Sequence, residues 1–128
     1  MRQYHALVFD SALMSDALTT STYSAPEFNQ LLASCDITYL FAVVDQVSGT
    51  PTLKVYLEFS PDGRNWLDSN PASPTAVINL GPLSNANTWT TCTTSLAGQA
   101  GLARLRLQLN GTSPVQTRVR IWATGRGT

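Results

Sequence analysis

The sequence predicts an all-β fold: a two-layer antiparallel β-sandwich, jelly-roll or immunoglobulin-like, with about eight short strands. Only 12% of the 128 residues are charged. Thr, Ser, Asn, Gly and Pro take their place, whereas helical surfaces are rich in Glu, Lys and Ala. Several segments alternate apolar and polar residues with the period of two that a half-buried strand requires. Gly, Pro and Asn clusters separate these segments, as turns between strands do.

The chain length fits one domain, so we predict that residues 1–128 form a single β-sandwich. Residues 1–15 are predicted to be either part of that sandwich or an arm or exchanged strand. The candidate strands lie at residues 4–9, 18–24, 37–44, 53–59, 66–67, 76–80, 89–94, 103–109 and 118–123.

The alternating segments predict two β-hairpins, one over residues 37–59 and one over 103–123. Both have a Gly-Thr-(Ser)-Pro turn, so they form a weak internal repeat. Residues 37–44 are almost all apolar, which predicts a central strand covered on both faces. Residues 24–27 have a capping-box pattern in which Ser24 is the expected cap, and apolar residues at helical spacing follow. This pattern predicts either a short helix near residues 25–33 or a crossover loop.

Charge is divided unevenly between the two halves of a chain whose net charge is zero. All eight acidic residues lie in residues 1–68 beside three basic ones, and the remaining five basic residues, all arginine, lie in residues 69–128. This asymmetry indicates a basic binding face or electrostatic pairing between copies, unless the two halves interleave and neutralise each other in the fold.

The arginines of the last predicted hairpin mark a candidate interaction face. In a natural hairpin register Arg106 lies near Arg118 or Arg120, and like charges across strands are destabilising. An acidic group is therefore expected over this face: Glu58 of the same chain, a protein partner, or nucleic acid, the least favoured of the three because the chain has no net positive charge. The predicted face comprises Arg104, Arg106, Arg118, Arg120, Trp122, Tyr56 and Glu58.

Catalytic and cofactor patterns are missing from the sequence, so we predict a protein without enzymatic activity, cofactor or metal. The single histidine, His5, is predicted to be a partly exposed strand residue. The stretch 62–70 offers oxygen atoms for calcium but lacks the spacing of an EF-hand loop, which favours a turn. Cys35 and Cys92 are predicted to be buried free thiols. Neither a signal peptide nor an apolar run long enough to span a membrane is evident.

Two stretches resemble small β-sandwich virion proteins of tailed bacteriophages and prophages. Residues 47–66 read VSGTPTLKVYLEFSPDGRNW, similar to a turn of the form VSGT-x-PTL that leads into a strand ending SPDG-x-x-W. The RLRLQL at 104–109, the GTSP at 111–114 and the RVRIWA at 118–123 resemble the arginine-rich end of those proteins. The resemblance covers about a third of the chain and implies a capsid decoration protein that stabilises a shell. It implies no catalytic residues, and the N-terminal third does not share it.

The expected function is therefore that of a non-enzymatic structural protein of a phage or phage-like particle. Its expected partners are copies of itself, with a trimer favoured, and a major capsid or other virion protein; membranes are not expected. The expected location is the virion, after synthesis in the host cytoplasm. The alternative is a carbohydrate-binding module in which Trp66, Trp89 or Trp122 joins Tyr56 in an aromatic platform. A third hypothesis is an enzyme that uses carboxylates alone.

Overall fold

The fold is described from a computed structural model, which describes residues 2–15, 20–24, 27–34, 37–68, 76–80, 88–91, 102–111 and 115–127. The elements are β1 (Arg2–Ser15), β2 (Thr20–Tyr23), α1 (Glu27–Ser34), β3 (Ile37–Ser48), β4 (Thr52–Ser60), β5 (Leu67–Asp68), β6 (Ile78–Leu80), β7 (Thr88–Thr91), β8 (Leu102–Asn110) and β9 (Val115–Gly127). Parts of the predicted strands at 18–24 and 89–94, and both cysteines, lie outside the described residues.

The strands form two antiparallel sheets, which confirms the predicted β-sandwich. Sheet A has the order β1-β9-β3-β7. Sheet B has the order β2-β8-β4-β5, and β6 also pairs with β4. All pairings between the described strands are antiparallel.

The core lies between the inner faces of the two sheets, where alternate residues of each strand are buried. The predicted alternation on β4 and β8 is confirmed in its inward residues, because Leu53, Val55, Leu105 and Leu107 are fully buried. From sheet A, β3 and β9 contribute the inward-facing apolar residues of their own alternating patterns. The large, fully buried apolar residues of the described chain also include Val8, Phe28, Leu32, Leu40, Val44, Ile78, Leu109, Val119 and Ile121.

The two predicted hairpins are wrong, because their strands lie in different sheets. β3 belongs to sheet A and β4 to sheet B, while β8 belongs to sheet B and β9 to sheet A. Instead β4 pairs with β8, and β3 pairs with β9. Alternation specifies which side chains face the core, and a chain that crosses from one sheet to the other keeps the same inward residues as a hairpin. The weak internal repeat therefore corresponds to two sheet-crossing pairs of strands that interlock.

The β3–β4 connection lies close to the end of β8. A Cβ atom on Gly111 would lie 2.8 Å from Cγ1 of Val115 and 3.4 Å from the Cα of Pro51. Gly49, in the β3–β4 connection, has a φ of 77°, a conformation that glycine adopts without a steric penalty. Both glycines of the repeated turns are therefore required by geometry.

The length of β1 and the burial of β3 differ from their predictions. β1 continues to Ser15 rather than ending near residue 9, and it pairs with β9 of the same chain. A bulge at Val8 shifts the register, so Val8 and Phe9 are both buried, and the period of two is lost from the sequence pattern. β3 lies between β9 and β7, but its outer face is not covered at Tyr39 or Phe41.

The short helix is the element that the sequence left open, and the structure contains it as α1. Its Phe28 and Leu32 are buried against the core, and the helix contacts β1, β8 and β9. Ser24, the expected cap, instead accepts a 2.9 Å hydrogen bond at Oγ from the backbone N–H of Leu105. Within the described ranges, no helix has the length and apolar character needed to cross a membrane.

Candidate functional site

The structure divides the predicted interaction face between the outer surfaces of the two sheets. Because β8 and β9 do not pair, the predicted proximity of Arg106 to Arg118 or Arg120 is wrong. Arg104, Arg106, Tyr56 and Glu58 lie on the strands of sheet B, and Arg118, Arg120 and Trp122 lie on β9 in sheet A.

Glu58 holds the two arginines of sheet B. It lies opposite Arg104 in the β4–β8 register. The Tyr56–Arg106 pair lies two residues along the strands, on the same face. Its Oε1 accepts a hydrogen bond from Nε of Arg104 at 2.8 Å, and its Oε2 accepts one from Nε of Arg106 at 3.0 Å. The expectation that Glu58 lies over the arginine face is thus confirmed for these two arginines.

Three aromatic rings pack against the same two guanidinium groups. The Cζ atom of Arg104 lies 3.8 Å from the ring centroid of Tyr23 and 4.0 Å from that of Trp66. The Cζ atom of Arg106 lies 4.3 Å from the ring centroid of Tyr56. Guanidinium groups stack favourably on aromatic faces, so the rings fix the position of each charge. We name Tyr23, Tyr56, Glu58, Trp66, Arg104 and Arg106 the sheet B cluster.

Sequence reasoning missed Tyr23. It lies at the end of a Ser/Thr-rich strand, and only the pairing of β2 with β8 brings it opposite Arg106. Nothing in the spacing of residue 23 from residues 104 and 106 signals that pairing.

The loop from Ser60 to Trp66 positions the Trp66 ring. The Oδ1 atom of Asp62 accepts hydrogen bonds from the backbone N–H groups of Arg64 at 2.8 Å and Asn65 at 2.9 Å. Gly63 has a φ of 78°, and its carbonyl accepts a 3.2 Å hydrogen bond from Nε1 of Trp66. The turn interpretation of this stretch is confirmed, since the Asp62 carboxylate serves the backbone of its own loop.

The carboxylate of Asp62 is expected to titrate well below an ordinary aspartate. Hydrogen bonds from the backbone of Asn65 and Arg64 lower its pKa. Because the folded pKa is lowered, this contribution to stability is complete above the unfolded pKa of about 3.9 and is lost as the pH falls toward the folded value. The measurement is an NMR titration of the Asp62 carboxyl carbon, together with the unfolding free energies of wild type and Asp62→Asn at pH 7 and pH 3. We expect the difference in unfolding free energy between wild type and Asp62→Asn to be smaller at pH 3 than at pH 7. A midpoint near 3.9 would contradict the prediction.

A pocket of about 380 Å³ opens beside the sheet B cluster. Tyr23 and Leu102 are exposed within it, and Asn29 borders it from α1, where its Oδ1 accepts a 2.8 Å hydrogen bond from the backbone N–H of Ala103. The pocket is lined by Tyr23, Ser24, Asn29, Gln30, Trp66, Leu102, Ala103 and Arg104. It is therefore a mostly apolar pocket with one arginine in its wall.

The outer face of sheet A carries a row of large apolar side chains. In the strand register Leu7, Trp122 and Phe41 lie directly side by side on β1, β9 and β3. Leu7 is 43% exposed and Phe41 is 38% exposed, and Tyr39, two residues from Phe41 on β3, is 43% exposed. We name Leu7, Tyr39, Phe41 and Trp122 the apolar row.

Ion pairs flank the apolar row. Arg120 donates two 2.8 Å hydrogen bonds to Asp45, through Nε and Nη2, and Nη2 of Arg118 lies 3.5 Å from Oδ1 of Asp10. Asp45 lies in a bulge of β3, where the register shifts between Val44 and Gln46. The hydrogen bond from Arg120 lowers the pKa of the Asp45 carboxyl and raises that of the Arg120 guanidinium.

The remaining sequence candidates are spread over the molecule. His5 has an exposed side chain on β1, as predicted. Of the alternative aromatic platform, Trp66 lies on the same side of sheet B as Tyr56, whereas Trp89 and Trp122 lie on strands of sheet A. Among the described residues, no group of three or more His, Cys, Asp and Glu side chains is placed to hold a metal ion.

Comparison with known proteins finds similarity to solved structures. No protein-family model matches the chain, and no curated protein matches it significantly. A chain from the structure of infectious bursal disease virus, Gx strain, is similar with a TM-score of 0.37 and 12% sequence identity. That similarity covers 99% of this chain and 32% of the viral chain, so the protein spans about a third of the length of the chain it matches.

Proposed function

We propose that the chain is a non-enzymatic structural protein of a phage or phage-like particle, which decorates and stabilises a shell as a homo-oligomer. The apolar row on sheet A carries the proposal. Leu7, Tyr39 and Phe41 expose large apolar surfaces on one sheet face. Contiguous exposed apolar surface on a soluble protein marks an interaction site.

The surroundings of the apolar row support docking to protein. Asp45 with Arg120, and Asp10 with Arg118, place paired charges beside the apolar side chains. An apolar centre with a polar border is the usual anatomy of a protein–protein interface. The resemblance of residues 47–66 and 104–123 to phage β-sandwich proteins supports a virion shell as the docking partner.

The proposed partners of the protein are other virion proteins, and its proposed location is the virion. The protein contacts further copies of itself, most simply as a trimer, and a major capsid or other virion protein. It is made in the host cytoplasm and resides in the virion, without membrane or nucleic-acid partners.

The experiment compares wild type with the double variant Leu7→Glu/Phe41→Glu. We expect light scattering to give a closed oligomer for wild type and a smaller mass for the variant, with both proteins folded by circular dichroism. The variant is also expected to lose attachment to shells assembled from the major capsid protein of the same genome. The matched control is Leu67→Glu, an exposed leucine of sheet B. A wild type that is monomeric and does not attach to shells would overturn the proposal, and retardation of that monomer in a polysaccharide gel would favour the carbohydrate-binding alternative.

A further inference from the structure

We infer that the pocket beside Arg104 binds a carboxylate-bearing segment of a protein partner. An apolar side chain of that segment occupies the pocket, and the neighbouring carboxylate contacts the guanidinium of Arg104. The inference deepens the proposed function and rests on it for the assignment to a protein partner.

The charges of the sheet B cluster do not cancel. Arg104 and Arg106 share the single carboxylate of Glu58, so these three side chains carry one net positive charge. On sheet A, by contrast, Arg120 has Asp45 and Arg118 has Asp10. Asp68 lies opposite Glu58 on β5 and Lys54 lies on the same outer face of β4, so these two further charges cancel and the face remains complementary to one additional negative charge.

Arg104 has hydrogen-bond donors that Glu58 does not use. A guanidinium has five N–H groups, and within the described part of the chain Arg104 and Arg106 donate hydrogen bonds to Glu58 through Nε. Arg120 instead uses both Nε and Nη2 on Asp45. The Nη groups of Arg104 remain for a ligand, and the side chain is 24% exposed. Two parallel N–H groups are the geometry that a carboxylate accepts best.

The guanidinium of Arg104 is held in place before a ligand binds. The rings of Tyr23 and Trp66 lie within 4.0 Å of Cζ of Arg104, and the Asp62 loop in turn fixes Trp66. A guanidinium held in this way loses little freedom when a ligand binds. The exposed parts of Tyr23 and Leu102 in the same pocket favour an apolar group beside the carboxylate.

The small net charge of the cluster disfavours a polyanion as the ligand. Binding to nucleic acid draws on the neutralisation of several phosphates. The sheet B cluster offers one net charge, and the whole chain has no net charge and a single lysine. One carboxylate on a peptide matches this charge.

The test uses two blocked dipeptides, acetyl-Leu-Glu-amide and acetyl-Leu-Gln-amide, added to the full chain. NMR resonances of Trp66 Nε1–H and Arg104 Nε–H report binding. We expect saturable shifts with the Glu peptide and binding at least about tenfold weaker with the Gln peptide, as the loss of a charge-assisted hydrogen bond implies. Equal affinity for the two peptides, or no saturable shift at millimolar concentration, would overturn the inference.

Three variants locate the site. Arg104→Lys keeps the charge but loses the planar fork, and we expect it to weaken binding about tenfold or more. If Arg104→Lys proves unstable, Leu102→Glu takes its place, because Leu102 is exposed and its replacement leaves Glu58 untouched. We expect Leu102→Glu to abolish peptide binding. Arg120→Lys on sheet A is the matched control and is expected to bind like wild type.

The outcomes separate this inference from the proposed function. Unchanged shell attachment by folded Arg104→Lys would overturn the inference and leave the proposed function standing. A decathymidylate that binds through Arg104 more tightly than the Glu peptide would overturn the assignment to a protein partner. A wild type that neither assembles nor attaches to shells would overturn the proposed function whatever the peptides do.

Discussion

Replacing Leu32 with alanine is expected to lower the free energy of unfolding by about 2–5 kcal/mol. Leu32 is 1% exposed and belongs to the main hydrophobic core. Its truncation removes apolar contacts and leaves a cavity between α1 and the strands it contacts. Since domains of this size are stable by about 5–15 kcal/mol in total, the loss is a large share. Denaturant unfolding followed by tryptophan fluorescence measures it.

The matched control is the same deletion at Leu67, which is 60% exposed on β5. Leu67→Ala removes the same atoms without opening a cavity, so we expect a change within about 0.5 kcal/mol. Equal losses for the two variants would show that α1 does not cover the core as described.

The helix shows why tertiary contacts were needed to complete the fold prediction. Residues 27–34 have helical spacing of Phe28 and Leu32, yet eight residues are too few to form a stable helix alone. What favours the helix is burial of both side chains against β1, β8 and β9, and the sequence contains no direct signal of that contact. The pattern therefore left helix and loop equally open.

The strands show a similar division between what was predictable and what was not. Inward residues such as Leu53 and Leu105 follow from alternation because the period of two specifies one face. Pairing partners do not, because β3 and β4 could join as a hairpin or cross between sheets with the same inward residues. The bulge at Val8 also removed the signal for the second half of β1.

The candidate site was predictable in its residue types and wrong in its grouping. Glu58 was expected over Arg104 and Arg106 because the predicted hairpin placed like charges opposite one another, so the correct partner came from a wrong strand pairing. Arg118 and Arg120 were placed with them by the mistaken hairpin, and they have their own acidic partners in Asp10 and Asp45. These local pairs also show that the acidic and basic halves of the chain interleave in the fold.

Replacing Glu58 with glutamine is expected to cost about 2–3 kcal/mol of unfolding free energy, less than for a fully buried ion pair because both arginines are partly exposed. Glutamine keeps the size of the side chain but removes the charge that joins Arg104 and Arg106. The two guanidinium groups, which lie two residues apart on the same face of β8, then repel each other. Denaturant unfolding at low and high salt measures the effect, and added salt should recover part of the loss by screening the repulsion.

The control for Glu58→Gln is Asp10→Asn, which removes a negative charge from an exposed pair. Arg118 and Asp10 lie 3.5 Å apart with side chains 49% and 38% exposed, so we expect a loss within about 0.5 kcal/mol. If the two substitutions cost the same, Glu58 does not hold the arginines against the sheet. A larger, salt-sensitive loss at Glu58 means instead that one carboxylate restrains two positive charges. The charge left over is then a fixed property of sheet B, available to a ligand without any rearrangement of the fold.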